Sequence, residues 1–166
     1  MAFDPISGLD EIDLRLLREI QDNARTSYTE LGRRIGLTPP AVAERVRRLE
    51  EAGVILGYRA DIDPARVGLP IGAFIRMRAA GNTECLELGE RVRDISEVLE
   101  CHRVTGDDSY IARVAVRSVD HLQDLIDRLM PYAETITSIV LSSVVTRRTI
   151  DPELTAAPRR GVPRSA

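Results

Sequence analysis

The sequence predicts an α+β protein, a small all-helical N-terminal domain followed by a domain with the order β-α-β-β-α-β. Two observations carry this prediction. Apolar residues recur at helical spacing from Leu9 to Leu49, and from Ile71 onward they alternate along short segments interrupted by two amphipathic helices. Turn chemistry separates the two regimes, in Asp63-Pro64 and Gly68-Leu69-Pro70.

The first helix lies in residues 9–24, where Leu9, Ile12, Leu16, Leu17 and Ile20 share one face. A second opens at Ser27, whose spacing to Glu30 is that of a capping box, with each side chain able to satisfy an orphan N–H. Leu31 and Ile35 give it an apolar stripe, and Gly36 is a natural stop because glycine accepts positive φ. Thr38 can cap the third helix, and Pro39 takes the first helical position, where its missing N–H costs nothing. Val42, Val46 and Leu49 follow at i, i+4 and i+7 until Gly53 ends the run. Three helices in about 50 residues make a marginal core, so support from a second module or a partner chain is expected.

Two short helices joined by a tight turn, with arginines gathered on the second, are the layout of a helix-turn-helix. The second helix of that motif lies in the major groove of DNA. With Val42 at the centre of the buried side, a rotation of about 100° per residue puts Pro40, Glu44, Arg47 and Arg48 on the opposite face, with Arg45 on the flank. The residues expected to meet DNA are Thr38, Pro40, Ala41, Glu44, Arg45, Arg47 and Arg48. Arg47 and Arg48 suit bases or phosphates, and Glu44 suits cytosine N4 as an acceptor. Arg45 suits a phosphate or a bracing role, and Thr38 the DNA backbone as well as the helix end. The same pattern also describes an αα-hairpin with a solvated charged face.

Charge is segregated rather than abundant. The net charge is −3, and residues 1–60 hold nine arginines against ten acids, so bulk attraction to nucleic acid is excluded. The acids Asp10, Glu11 and Asp13 crowd the first helix, while Arg33, Arg34, Arg45, Arg47 and Arg48 cluster on the helix pair, and such a patch can neutralise phosphates locally. All 23 basic residues are arginine.

Residues 54–62, VILGYRADI, alternate and read as a strand leaving the third helix. Beyond the turns, strands are expected at 71–79, 98–105, 110–116 and 136–145. A helix over 83–93 turns Cys85, Leu88 and Val92 inward with Thr83 as its cap. Another over 119–130 buries Leu122, Leu125, Ile126 and Leu129 and is closed by Pro131. This order is the split-βαβ, βαββαβ ferredoxin-like arrangement. Both of its helices lie on one face of the sheet, and the apolar residues of the other face suggest packing on a second copy. The domains expected are therefore a three-helix helix-turn-helix over 1–53, a strand and linker over 54–70, a βαββαβ domain over 71–150, and a disordered tail over 151–166.

Composition fits a soluble globular chain, with 43% hydrophobic and 30% charged residues. No apolar run approaches a bilayer span, and the acidic start lacks the apolar stretch of a signal peptide, so a cytoplasmic protein without a membrane partner is expected. Cys85 and Cys101 have no metal-ligand spacing and read as small buried hydrophobes, so neither metal nor cofactor is expected. His102 and His121 are the only imidazoles, and neither belongs to a constellation legible as catalytic.

Three motifs in this order resemble the leucine-responsive/asparagine-synthase regulator family (Lrp/AsnC, "feast/famine"). They are LDEIDLRLL, then YTELGRRIGLTPPAVAERVRRLEEAGVILGY, then VTGDDSYIARV, and the resemblance covers residues 9–150. It implies a transcription regulator rather than an enzyme, acting on double-stranded DNA as a homo-oligomer, a dimer or an octamer. It also implies a small effector, typically an amino acid, bound at the loop between the second and third strands of the second domain. Mapped here, that loop is Thr105, Gly106, Asp107, Asp108, Ser109 and Tyr110, with Ser109 where the family often has Asp. Its chemistry suits an amino acid: Gly106 permits close backbone approach, exposed N–H groups receive a carboxylate, and Asp107 or Asp108 pairs with an ammonium. Gly-Asp-Asp-Ser is equally the composition of an ordinary acidic turn. Two other readings stay open, an architectural DNA-binding protein without an effector and a diverged enzyme on the same fold.

Overall fold

The computed structural model describes residues 9–80, 84–146 and 148–150. They form two compact units, one made of the described residues up to Ala60 and from Val145, the other of Asp61–Val144.

The first unit contains α1 (Glu11–Asp22), α2 (Tyr28–Ile35) and α3 (Pro39–Glu51). Leu16, Ile20, Leu31, Ile35, Val42, Val46 and Leu49 form its buried cluster, with Leu9, Ile12, Leu17 and Leu37 at the margin. The turn between α2 and α3 is closed by two bonds to one acceptor, since the Gly36 and Leu37 N–H groups both donate to the Gly32 carbonyl at 2.8 Å. Gly36 is left-handed at φ 78°. A Cβ on Gly32 would come within 3.0 Å of the Leu37 carbonyl oxygen, so this close helix approach requires glycine.

Two expected caps differ. Ser27 accepts from the Glu30 N–H as anticipated, but the Glu30 carboxylate turns to Arg33 and Arg34, leaving half a capping box. The full box is at α1, where Asp10 accepts from Asp13 N–H and Asp13 from Asp10 N–H. Thr38 stands at the N-cap of α3 without a side-chain cap bond, and Pro39 and Pro40 supply no N–H at the first two helical positions.

Within residues 54–62 there is no strand among the described residues, contrary to the alternation. A strand exists only with a partner, and no described strand pairs with this segment: Val54 and Ile55 pack against the helical cluster, while Leu56 and Ile62 stay exposed.

In the second unit a short 3-10 helix (Pro64–Val67) precedes β1 (Ile71–Ala79), α4 (Cys85–Arg93), β2 (Val98–Arg103), β3 (Tyr110–Val116), α5 (Val119–Leu129) and β4 (Ala133–Ile139). The sheet is antiparallel in the order β2-β3-β1-β4. Ala73, Ile75, Met77, Ala112, Val114 and Val116 meet Leu88, Val92, Leu122, Leu125 and Leu129 of the two helices in one core. Cys85 and Cys101 pack, half-buried, against it. The fold is therefore α+β, a helix-turn-helix followed by a ferredoxin-like βαββαβ sheet.

The last strand begins three residues earlier than its alternation indicates and ends six earlier. Its register pairs Ala133 with Ala79 and Ile139 with Ala73, so β1 runs out beside it soon after Ile139. Leu141 and Val144 beyond that point are almost wholly exposed. The face away from the helices carries Phe74, Ile111 and Ile136 among the ion pairs Arg76–Asp108, Arg78–Glu134 and Arg113–Glu100. The expected cap Thr83 and the expected tail 151–166 lie outside the described residues.

Candidate nucleic-acid interface and effector loop

Burying Val42, Val46 and Leu49 fixes the rotation of α3 and turns Pro40, Glu44, Arg47 and Arg48 to solvent, with Thr38 exposed at its start and Ala41 half-buried. All five arginines of the helix pair are ion-paired. Arg47 grips Glu44 with two nitrogens, at 3.0 and 2.6 Å, and also reaches Glu51. That pairing raises the Arg47 pKa and lowers that of Glu44. Arg33 forks onto Glu30 at 2.8 and 2.7 Å, while Arg34 bridges Glu30 and Glu19. Hydrogen bonds from Arg33 and Arg34 hold the Glu30 carboxyl at about 2.

Arg45 and Arg48 point back toward α1. Arg45 Nη1 donates to Asp10 Oδ2 at 2.7 Å and Asp13 Oδ1 at 2.6 Å; Arg48 Nη2 donates to Asp13 Oδ2 at 2.8 Å. Of the two roles open to Arg45, the bracing one has its partners in place. Asp13 is fully buried, the one charged side chain so enclosed among the described residues. The sequence groups it only with Asp10 and Glu11, as one of the acids crowding the first helix. The signal for its burial is spacing, since Asp13 shares the inward stripe with Leu16 and Ile20 at i, i+3 and i+7.

The second candidate is the loop from β2 to β3. Thr105, Gly106 (φ 110°) and Asp107 are exposed. Asp108 is half-buried and accepts from Arg76 Nε at 2.9 Å. Ser109 is committed to β1: its Oγ accepts from the Ala79 N–H at 3.2 Å and its own N–H donates to the Met77 carbonyl at 2.7 Å. Tyr110 leaves the loop altogether. Its ring enters the core so close to α4 that a Cβ on Gly89 would meet the phenol oxygen at 2.5 Å. It lines, with Leu86, Gly89, Glu90, Arg93 and Cys101, a cleft of about 390 Å³ between α4 and β2. Burial pushes the Cys101 thiol up. Arg76 and Arg78, missed from the sequence, come from β1 to this end of the sheet, where Asp107 and Asp108 help raise the Arg78 pKa after its main partner Glu134. The alternation of IGAFIRMRA puts both on one face, which is the signal that finds them.

His102 is exposed on β2. His121 is half-buried at the start of α5, accepting from the Arg117 N–H on Nδ1 and contacting Glu97 through Nε2 at 2.9 Å. Burial alone raises the Glu97 carboxyl, but hydrogen bonds from His121, its own N–H, Arg128 and Ser96 outweigh it and hold the group at about 2. Among the described residues, no helix is long and apolar enough to cross a membrane.

Comparison with known proteins finds relatives of both domains. The sequence profile described as winged helix-turn-helix DNA-binding matches residues 9–55, and that of the Lrp/AsnC ligand binding domain matches residues 72–150. The transcriptional regulator LrpC of Bacillus subtilis is 32% identical over 139 residues, 84% of this chain and 96% of that protein. The regulatory protein AsnC of Escherichia coli is 33% identical over 148 residues, 87% of this chain and 97% of its own. Among solved structures, the feast or famine regulatory protein of Mycobacterium tuberculosis complexed with L-methionine superposes with a TM-score of 0.82 at 36% identity, covering 87% of this chain and all of that one.

Proposed function

The chain belongs to the Lrp/AsnC family of DNA-binding transcriptional regulators, and from that premise we propose that it reads a specific operator in the cytoplasm under the control of a small effector. Regulators, not enzymes, are what its named relatives are. The observation that carries the reading is the geometry of α3, whose packed side is fixed by Val42, Val46 and Leu49 while Pro40, Glu44, Arg47 and Arg48 face outward. A helix so presented enters the major groove by its exposed face, with arginine forks matching guanine and phosphate oxygens. Thr38, whose hydroxyl makes no helix cap, is available to the DNA backbone.

The effector proposed is an amino acid, in keeping with the L-methionine bound by the Mycobacterium tuberculosis relative. The exposed Thr105–Asp107 segment and the Asp108–Arg76 pair supply the polar groups an α-amino acid needs: backbone N–H groups and arginine for the carboxylate, Asp107 for the ammonium. Ser109 and Tyr110 then act as supports rather than ligands, because both are engaged elsewhere. The assembly proposed is a dimer through the uncovered sheet face, able to build an octamer. The operator is correspondingly palindromic, with half-sites one helical turn apart or a multiple of it.

The test is a gel-shift titration on DNA upstream of the chain's own gene, with and without a pool of amino acids. Specific shifts that respond to the pool are expected, and Arg48→Ala is expected to weaken them about 10-fold or more without altering the oligomer. Unchanged affinity of that variant refutes the assignment of Arg48. Binding that ignores sequence and pool alike favours the architectural reading, because a specific site exceeds non-specific affinity by roughly 10³-fold.

A further inference from the structure

A buried carboxylate needs partners, and Asp13 has divided its two oxygens between different tasks. Oδ1 accepts from Arg45 at 2.6 Å; Oδ2 accepts from Arg48 at 2.8 Å and from the Asp10 N–H at 3.2 Å. The two arginines differ in what remains to them. Arg45 is spent, with its side chain only 23% exposed and the same nitrogen shared with Asp10. Arg48 has given one nitrogen to Asp13 while its side chain stays 54% exposed on the outward face. A guanidinium is planar and rigid, so fixing one nitrogen fixes the direction in which the remaining N–H groups point. Arg47 next to it lacks such an anchor, since its partners Glu44 and Glu51 are exposed residues of its own helix.

We infer that Asp13 is a positioning residue for DNA reading, a buried carboxylate that holds one end of Arg48 and aims the other at the base edges. The inference rests on the reading of α3 as the groove-entering helix. Its benefit is pre-organisation, because a long side chain ordered by the fold need not be ordered on binding. It also assigns a sign that charge alone does not. Asp13→Asn removes a negative charge beside the DNA-facing surface, so electrostatics predicts tighter binding to every sequence. A positioning role predicts weaker binding to the right sequence alone.

The experiment uses the full chain and two duplexes, one selected from a random-sequence pool by the wild-type protein and one a scramble of it. Asp13→Asn is expected to lower the ratio of selected to scrambled affinity about 10-fold or more, the scale of one good arginine–base contact, while scrambled binding holds or rises. Asp10→Asn makes the same charge change at the same helix end and also loosens Arg45, but leaves Arg48 on Asp13; its ratio is expected to stay within about 3-fold of wild type. In an Arg48→Ala background, Asp13→Asn is expected to change the ratio no further. The inference is overturned if Asp13→Asn keeps the wild-type ratio, if Asp10→Asn loses as much, or if the two effects add in full. Circular dichroism checks folding, and if Asp13→Asn does not fold, Arg48→Lys takes its place. Lysine keeps the charge without the planar fork, so the same loss of ratio with unchanged scrambled binding is expected, and a wild-type ratio overturns the inference. A wild-type protein that prefers no duplex refutes instead the underlying reading of α3, and the inference with it.

Discussion

Gly32→Ala is the most exacting test of the helix pair, because two effects of opposite sign compete at one atom. Alanine in a helix interior is worth about 1 kcal/mol over glycine, so propensity alone predicts a more stable protein. Against this, the new Cβ lies within 3.0 Å of the Leu37 carbonyl oxygen and 3.3 Å from its carbon, and it must retreat by roughly 1 Å to reach ordinary contact. The obstacle is backbone, and that backbone is held to Gly32 itself by the Gly36 and Leu37 N–H groups. Overpacking that forces a backbone shift costs about 3 kcal/mol at the upper end of its usual range, and one weakened hydrogen bond adds about 1 kcal/mol. The net is a loss of about 3 kcal/mol, or a fall in melting temperature of roughly 10–20 °C for so small a unit. The shift also moves Leu37 and Thr38, which set the start of α3, so operator affinity falls with stability. Gly36→Ala is the control: unlike Gly32 it has a positive φ to contend with, at 78°, but open space around its Cβ, and its cost is the left-handed penalty of about 1–2 kcal/mol. A helical melt with Gly32→Ala at or above wild type refutes the argument.

Leu49→Ala empties a fully buried site in the three-helix cluster and is expected to cost about 2–5 kcal/mol, which a marginal unit does not withstand. Circular dichroism should then show loss of helix and gel shifts a loss of DNA binding, and retention of both refutes the assignment of Leu49 to the core. Glu97 supplies a pH prediction. Its folded pKa of about 2 lies below the ordinary value of 4.5, so its contribution is complete above about 4.5 and is lost as pH falls from there toward 2. Glu97→Gln is expected to lose on the order of 1–3 kcal/mol at neutral pH and to flatten the acid limb of the urea midpoint; a limb as steep as wild type tells against the cluster.

What the sequence made legible was what depends on local pattern. β1 and β3 lie where their alternation puts them, because both are inner strands with the core on one side and a neighbour on each edge. The helices were equally plain, since each buries a stripe at helical spacing. What failed depended on partners the pattern does not name. Residues 54–62 alternate like a strand, yet no described strand pairs with them; 140–145 do the same past the end of β1. Side-chain roles were harder still. Asp13 reads as one more acid of the first helix, Glu30 as half of a capping box, and Tyr110 as part of a polar loop, until the fold brings Arg45 and Arg48, Arg33 and Arg34, and Gly89 to them.

The paired arginines change what the basic cluster means. A bare patch attracts any phosphate, and log affinity then falls with log salt at about 0.9 per phosphate neutralised. Five free arginines on the helix pair give a slope near −4.5 for each protomer by that rule. Here each of the five already has a carboxylate, from Asp10, Asp13, Glu19, Glu30, Glu44 or Glu51. The exposed pairs among them, those of Arg33, Arg34 and Arg47, hold weakly, so phosphate can displace them. Each carboxylate set free then takes up a counterion as the DNA loses one, and the net release shrinks. A slope shallower than about −3 per protomer is therefore expected from affinities measured across a salt series, whereas −4.5 or steeper refutes the exchange. The consequence for function is selectivity. A chain of net charge −3 with a self-neutralised reading helix gains little from DNA in general. On the proposed reading, what distinguishes one sequence from another is then left to the direction of a few anchored side chains, and among those facing outward Arg48 is the one held by a buried carboxylate.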